Sequence, residues 1–346
     1  MWRALRLAPI LLGLGLMATP VQGDARLLDF ADLQHWEADD HQAALTSFLA
    51  TCDLLRGREW PAICAVAQEA VVSPAASKAF FELFFRPVLI GTPPALFTGY
   101  FEPELEGSKT RTTRFAWPIY RRPPEVKDGQ KWHDRATIER GILRGRGLEI
   151  AWIDDRVDVF FLQIQGSGRI RLQDGSVIRV GYAGRNGHPF RSLGEALIQR
   201  GILRADQVSA EEIRAYIRRN PGRVDELLNV NPSYVFFRRL DDLPVEAGPI
   251  GAMGRSISTL RSVAVDPDFV PLGVPVWLEK EGRAPMWRLL IAQDTGGAIK
   301  GAQRADIFFG TGDEAGREAG YIRDAGRMLV LLPIDAAYAL AAPSSF

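Results

Sequence analysis

From residue 261 to 333 the chain offers five short apolar runs, RSVAVD, VPVWLEKEG, WRLLIAQD, RADIFFG and MLVLLP, cut apart by glycine and proline. Runs of this length with turn residues between them read as β-strands. A doubly wound parallel sheet needs a helical crossover after each strand, and the sequence leaves no room for long helices here. The pattern therefore argues a closed β-barrel.

The chain ahead of this region has a different texture. Between about 40 and 86 the apolar spacing is helical, as in Ala44, Leu45, Phe48, Leu49 and Cys52, and prolines after Phe85 end the helices. Residues 158–182, DVFFLQIQGSGRIRLQDGSVIRVGY, read as strands with a hairpin turn at Asp174-Gly175. Two helices follow, opened by the capping patterns Ser192 with Glu195 and Ser209 with Glu212. A length of 346 residues suits about two domains.

The N-terminus reads as an export signal. MWRALR supplies the basic start, LAPILLGLGLMA an apolar run too short to span a bilayer, and VQG small residues before Asp24. Residues 1–23 are taken as cleaved, and with no cysteine at that boundary no lipid anchor is expected. Cys52 and Cys64, the only cysteines, then lie in an oxidising compartment and are expected to pair. The four histidines, at 35, 41, 133 and 188, are scattered, so no metal site is expected. Lys+Arg and Asp+Glu each number 42, and this balance argues against a nucleic-acid partner.

Nucleophile and nucleotide motifs are missing. There is no G-x-S-x-G elbow, GGAIKGAQ lacks the Gly-Lys-Ser/Thr end of a phosphate loop, and Gly248, Gly251 and Gly254 form only a weak run. Carboxylate chemistry remains. Asp294 ends the run LLIA, and Asp306, twelve positions on, sits beside Ile307, Phe308 and Phe309. An acid at a barrel rim among aromatics is partly desolvated, which suits a general acid. Aspartates beside glycine are also common turn-formers.

Six segments bring these residues together: LFTGYFEPELEGS (96–108), FFLQIQGSGRIRL (160–172), YAGRNGHPFRSLG (182–194), NPSYVFFR (231–238), RSVAVDPDFVPLGVPVWLE (261–279) and AQDTGGAIKGAQRADIFFG (292–310). In order and density they resemble the membrane-bound lytic transglycosylase A family. The resemblance implies a mainly β fold: a double-psi β-barrel built from N- and C-terminal segments (24–110 and 243–346, with the N-terminal helices) and an inserted β-rich domain (111–242), with a glycan groove between them. It implies cleavage of the β-1,4 bond between N-acetylmuramic acid and N-acetylglucosamine without water, leaving 1,6-anhydromuramoyl ends, and needs no cofactor. The implied partner is the peptidoglycan strand, which places the protein in the periplasm, peripheral to the outer membrane.

The resemblance also implies site residues. Asp306 takes the place of the family's catalytic acid and then base, and Asp294 opens DTGGAIKG as an orienting or charge-stabilising group. Three candidate walls for sugars are Thr98, Gly99 and Tyr100; Gln163, Gln165, Gly166 and Ser167, placed at the end of a strand; and Tyr182, Asn186 and Gly187. This chain departs from the family pattern at Leu260, where glycine is expected, and Asp313 stands at a different spacing from the third acidic residue sometimes found in the site. An inverting β-1,4-glycoside hydrolase using both aspartates and a non-catalytic glycan-binding module stay open as alternatives.

Overall fold

The computed structural model describes residues 25–205 and 207–342. The expected signal lies outside the described residues. Strand β1 (Ala25–Leu27) is followed by helices α1 (His41–Cys52), α2 (Trp60–Ala70) and α3 (Pro74–Phe84). Asp40 caps α1 by accepting from the Ala43 N–H, and Ser73 caps α3 by accepting from Ala76. Pro61 and Pro74 occupy first turns, where a missing N–H is not needed. The helices bury a cluster of Phe48, Phe80, Phe81 and Phe85, with ring centroids 5.3 to 6.5 Å apart. Cys52 and Cys64 are bonded as expected, with Cα atoms 5.8 Å apart. Closing so short a loop contributes roughly 3 kcal/mol on a chain-entropy account.

Next come β2 (Phe85–Ile90) and β3 (Leu96–Glu102), then an excursion through β4 (Glu104–Ser108), β5 (Trp117–Tyr120), α4 (Arg135–Thr137), β6 (Glu149–Ile153), α5 (Arg156–Gln165), β7 (Ser167–Leu172), β8 (Val177–Arg185), α6 (Leu193–Gln199), α7 (Ala210–Arg219), α8 (Val224–Leu228) and β9 (Val235–Arg239). The chain returns with β10 (Ser262–Val265), β11 (Pro275–Lys280), β12 (Met286–Asp294), β13 (Arg304–Thr311), α9 (Gly312–Gly320), β14 (Arg323–Asp324), β15 (Gly326–Pro333) and α10 (Ile334–Ala341).

Two sheets result. β1–β3 and β10–β15 form one of nine strands, ordered β1-β2-β15-β11-β12-β10-β13-β3-β14, and β4–β9 one of six, ordered β5-β6-β4-β7-β8-β9. The strands change sheet at Pro103 and again between β9 and β10. β10 runs parallel to β12, β13 to β3 and β4 to β7; the other neighbours are antiparallel. The main core lies between the nine-stranded sheet and the N-terminal helices, where Phe48, Trp277, Leu290 and Leu329 have no exposed surface.

The hairpin at Asp174-Gly175 joins β7 to β8 as read, with Gly175 at φ 82°, where a side chain would be strained. Ser192 and Ser209 cap α6 and α7 by accepting from the Glu195 and Glu212 N–H groups. Two expectations differ from the structure: the nine-stranded order runs from β1 to β14 with no pairing among the described residues that closes it into a barrel, and residues 156–165 form a helix, not a strand. Asp155 caps α5, and Gly166 ends it at φ 80°. The helix is wedged between two clusters, with Val159 and Leu162 in one and Val157, Phe160 and Phe161 in the other. A helix buried on opposite sides shows no polar face.

The crossing between sheets is fixed by Glu102, the fully buried last residue of β3. Its carboxylate accepts from Arg169 Nε at 2.8 Å, Arg179 Nη2 at 3.1 Å and Thr311 Oγ1 at 2.9 Å. The two arginines also donate to the carbonyls of Ala247 and Pro244 on the returning segment. Outgoing and returning chain are thus tied to one charge, and removing one partner from such a buried set costs about 3–5 kcal/mol.

Candidate active site

Asp294 and Asp306 lie on β12 and β13, the two neighbours of β10. Ala264 of β10 is paired with Asp294 on one side and with Asp306 on the other, so both acids sit in one row of the sheet. At about 4.8 Å per strand spacing their backbones stand roughly 10 Å apart. β3 lies on the far side of β13 in parallel register, with Thr98 opposite Asp306 and Tyr100 opposite Phe308. Residues two apart on a strand share a face, and Thr98 and Tyr100 each hold one acid.

The Thr98 hydroxyl donates to Asp306 Oδ1 and accepts from Arg304 Nη2 at 2.9 Å. The Tyr100 hydroxyl donates to Asp294 Oδ2 at 2.9 Å, while Asp294 Oδ1 accepts from the N–H groups of Ala252 at 3.0 Å and Thr295 at 2.9 Å. Asp294 therefore has both oxygens engaged. Asp306 keeps Oδ2 without a hydrogen-bond partner among the described residues. The end of β12 is pinned next door by buried Gln293, whose amide donates to the Ser47 carbonyl at 2.8 Å and the Thr51 hydroxyl at 3.0 Å.

Beneath the acids lies a small apolar cluster of Tyr100, Ile257, Ala264, Ile299 and Phe308. Burial against it pushes the Asp294 carboxyl up to about 6; its hydrogen bonds oppose that rise and the neighbouring Asp306 charge adds to it. Burial likewise raises Asp306 above the usual carboxylate range, against the pull of Thr98 and Arg304. Arg304 is lowered by burial, partly offset by Asp306. Two acids raised together, one with a free oxygen, can hold and release a proton.

A family model described as the MltA specific insert domain matches residues 96–238, and one for the 3D domain matches residues 261–332. A membrane-bound lytic murein transglycosylase from Agrobacterium tumefaciens has a crystal structure that superposes with a TM-score of 0.82 at 33% identity, covering 92% of this chain and 99% of that one. The chain belongs to the membrane-bound lytic murein transglycosylase A family. The membrane-bound lytic murein transglycosylase A of Vibrio cholerae is 36% identical over 244 residues, 67% of this chain and 64% of that relative, so the match spans slightly less than two thirds of its length. The structure of Escherichia coli MltA with bound chitohexaose superposes with a TM-score of 0.73 at 29% identity, over 94% of this chain and 99% of that one.

Within this family framework the ten sugar-wall candidates separate. Thr98 and Tyr100 stand on the acids. Gly99 faces the other way: a Cβ there would meet Ala319 Cα at 2.7 Å and the Phe309 ring at 2.8 Å, so the glycine lets α9 pack on β3. Gln163 is buried in α5 and accepts from Arg135 Nη2 at 2.7 Å. Gln165 accepts from the Phe101 N–H at 3.0 Å, linking α5 to β3. Gly166 caps α5, and buried Ser167 opens β7 opposite Gly181. Gln163, Gln165 and Gly166 thus belong to a helix end, and Ser167 to the first position of the strand that follows. Asn186 is fully buried and saturated, donating to the carbonyls of His133 and Pro232 and accepting from the Tyr234 N–H. Gly187 is a close approach, since a Cβ would stand 2.1 Å from the Gln130 carbonyl oxygen. Tyr182 is half exposed on β8 and offers a ring face. The Arg304–Thr98 relay and the Ala252 N–H were not foreseen; the alternation that places Thr98 beside Tyr100 was the available signal for the first.

Leu260, the departure from the family pattern, adopts φ 55°, the left-handed conformation that a glycine would take without strain. Its N–H donates at 2.7 Å to the carbonyl of Phe308, two residues after Asp306 on β13. Asp313 lies in the first turn of α9, with no acid role visible in its contacts.

Proposed function

We propose that this chain is a lytic transglycosylase that cleaves the β-1,4 bond between N-acetylmuramic acid and N-acetylglucosamine in peptidoglycan, with Asp306 as acid and then base. The carrying observation is the unequal engagement of the two acids: Asp294 has no oxygen to spare, whereas Asp306 Oδ2 is free to meet a glycosidic oxygen. The protonated Asp306 carboxyl gives its proton to the departing oxygen of N-acetylglucosamine as the bond to the muramoyl C1 breaks. The carboxylate so formed takes the proton of the muramoyl 6-hydroxyl while O6 attacks C1, closing the 1,6-anhydro ring and restoring the acid. No water is consumed. Asp294, held by Tyr100 and two backbone N–H groups, stabilises positive charge at the anomeric centre.

In this reading the nine-stranded sheet is a double-psi β-barrel and the six-stranded sheet the inserted domain, with the strand lying between them and Tyr182 under a sugar face. Binding of chitohexaose by the E. coli relative supports a glycan ligand. The N-terminal signal reading supports export to the periplasm, and no helix among the described residues is long and apolar enough to cross a membrane.

Mass spectrometry of the products tests the proposal. Purified peptidoglycan should yield ends lighter by one water than hydrolysed ends, and Asp306→Asn should lower turnover about 10²–10⁴-fold while the protein stays folded. A reducing muramic acid end as the main product would replace this reading with the inverting hydrolase, for which acids across a water are required. Binding without cleavage by the intact protein would leave only the glycan-binding module.

A further inference from the structure

The overall charge balance hides a split: residues 111–242 hold 24 of the 42 Lys+Arg but only 17 of the 42 Asp+Glu. The excursion is therefore basic and the rest of the chain acidic. Many of its cations are paired, as Arg122 is with Asp128 at 3.0 Å. Arg185, exposed at the end of β8, has no carboxylate within ion-pair distance among the described residues.

Its placement is built, not incidental. β8 carries a bulge at Ala183, so that Tyr182 opposes Phe237 and Arg185 opposes Val235. Phe237 and Val235 are two apart on β9 and share a face, so the bulge turns Arg185 onto the same face as Tyr182. Gly184, at φ 133°, makes that turn, and the saturated Asn186 locks the chain just beyond it. The guanidinium then reaches out of the six-stranded sheet to the loop that starts at Asp294: Nη1 stands 3.3 Å from where a Cβ of Gly297 would be. A side chain at 297 would press on the guanidinium, and glycine leaves it room.

We propose that Arg185 is a specificity residue that binds a carboxylate carried by the muramoyl unit, either its free lactyl group or its peptide stem. The inference rests on the peptidoglycan reading above. An unpaired guanidinium on the same face as Tyr182, against the loop that starts at Asp294 and on the basic side of the protein, matches a sugar bearing an anionic substituent; its planar fork takes a carboxylate bidentately.

The test measures affinity by calorimetry in the Asp306→Asn background, where no turnover interferes. Three soluble glycans of similar length are the probes: chitohexaose, which has no carboxylate; glycan stripped of peptides, which exposes the lactyl group; and peptide-bearing glycan. Arg185→Gln should weaken at least one carboxylate-bearing glycan about tenfold, which is about 1.4 kcal/mol, and leave chitohexaose unchanged. Arg185→Lys should recover part of the loss. A loss on stripped glycan assigns the lactyl carboxylate, and a loss confined to peptide-bearing glycan assigns the stem. Unchanged affinity for all three, or an equal loss that includes chitohexaose, overturns the proposal alone. If the background protein binds none of the three, the peptidoglycan reading falls and this one with it.

Discussion

Asp294→Asn should make the protein more stable at neutral pH, even though the residue belongs to the site. In the folded state the carboxyl titrates at about 6, chiefly because it is buried; in an unfolded chain an aspartate titrates near ~3.9. The folded state thus holds the proton more tightly than the unfolded one. Its contribution is favourable below the unfolded value and is lost as pH rises through the folded value. Two units at about 1.36 kcal/mol each put the penalty at pH 7 at up to about 3 kcal/mol. The amide fits the same partners: its oxygen can accept from Ala252 and Thr295, and its NH₂ can donate to a Tyr100 hydroxyl that has turned around. Denaturant unfolding of both proteins from pH 4 to pH 8 should show curves that nearly coincide at pH 4 and separate by up to about 3 kcal/mol above pH 7, with the variant the more stable. A gap that stays constant across that range, or one that opens on the acid side, would refute the reasoning.

Two further outcomes are expected. Thr98→Val deletes the hydroxyl that favours ionised Asp306, so the alkaline limb of the pH–activity profile should move up by about 1–2 units, the worth of a hydrogen bond to a charged group; Thr98→Ser should leave it in place, and a downward shift would contradict the relay. Leu260→Gly and Leu260→Ala both remove the same side chain, but only glycine relaxes φ 55°, so the glycine variant should be the more stable by about 1 kcal/mol in thermal unfolding, and the reverse order would show the turn to be unstrained.

The parts of this structure that were legible in the sequence are those set by local rules. The serine starts of α6 and α7, the spacing of Phe48 against Cys52, the Asp174-Gly175 turn and the proximity of two cysteines in an exported chain each act within a dozen residues. The convergence of Asp294 and Asp306 came from resemblance, because nothing local says that β10 will slip between their strands. The helix 156–165 was misread because Val157, Val159, Phe160, Phe161 and Ile164 favour strands, and because burial on two sides erases the polar stripe that marks a surface helix; Asp155 and Gly166, its caps, were the overlooked signals. Gln163, Asn186 and Gly187 looked like sugar ligands because amides and glycines serve both purposes. Only the structure shows the two amides already bonded to Arg135, and to His133 and Pro232, and Gly187 making room for Gln130. Glu102 drew no notice, since its arginine partners lie 67 and 77 positions away.

The hydrogen bond from Thr98 to Asp306 spans 208 positions of sequence, with the whole six-stranded sheet made in between. A ribosome or a translocation pore that delivers the chain from its N-terminus therefore delivers Thr98 and Tyr100 first, the excursion next and both acids near the end. Until β13 and β14 arrive, β3 has no neighbour in its sheet, and neither Asp294 nor Asp306 is in place. The order of the polypeptide acts as a timer: a fragment stalled anywhere before residue 294 lacks both carboxylates, and the row they make with Ala264 is complete only once β13 has emerged.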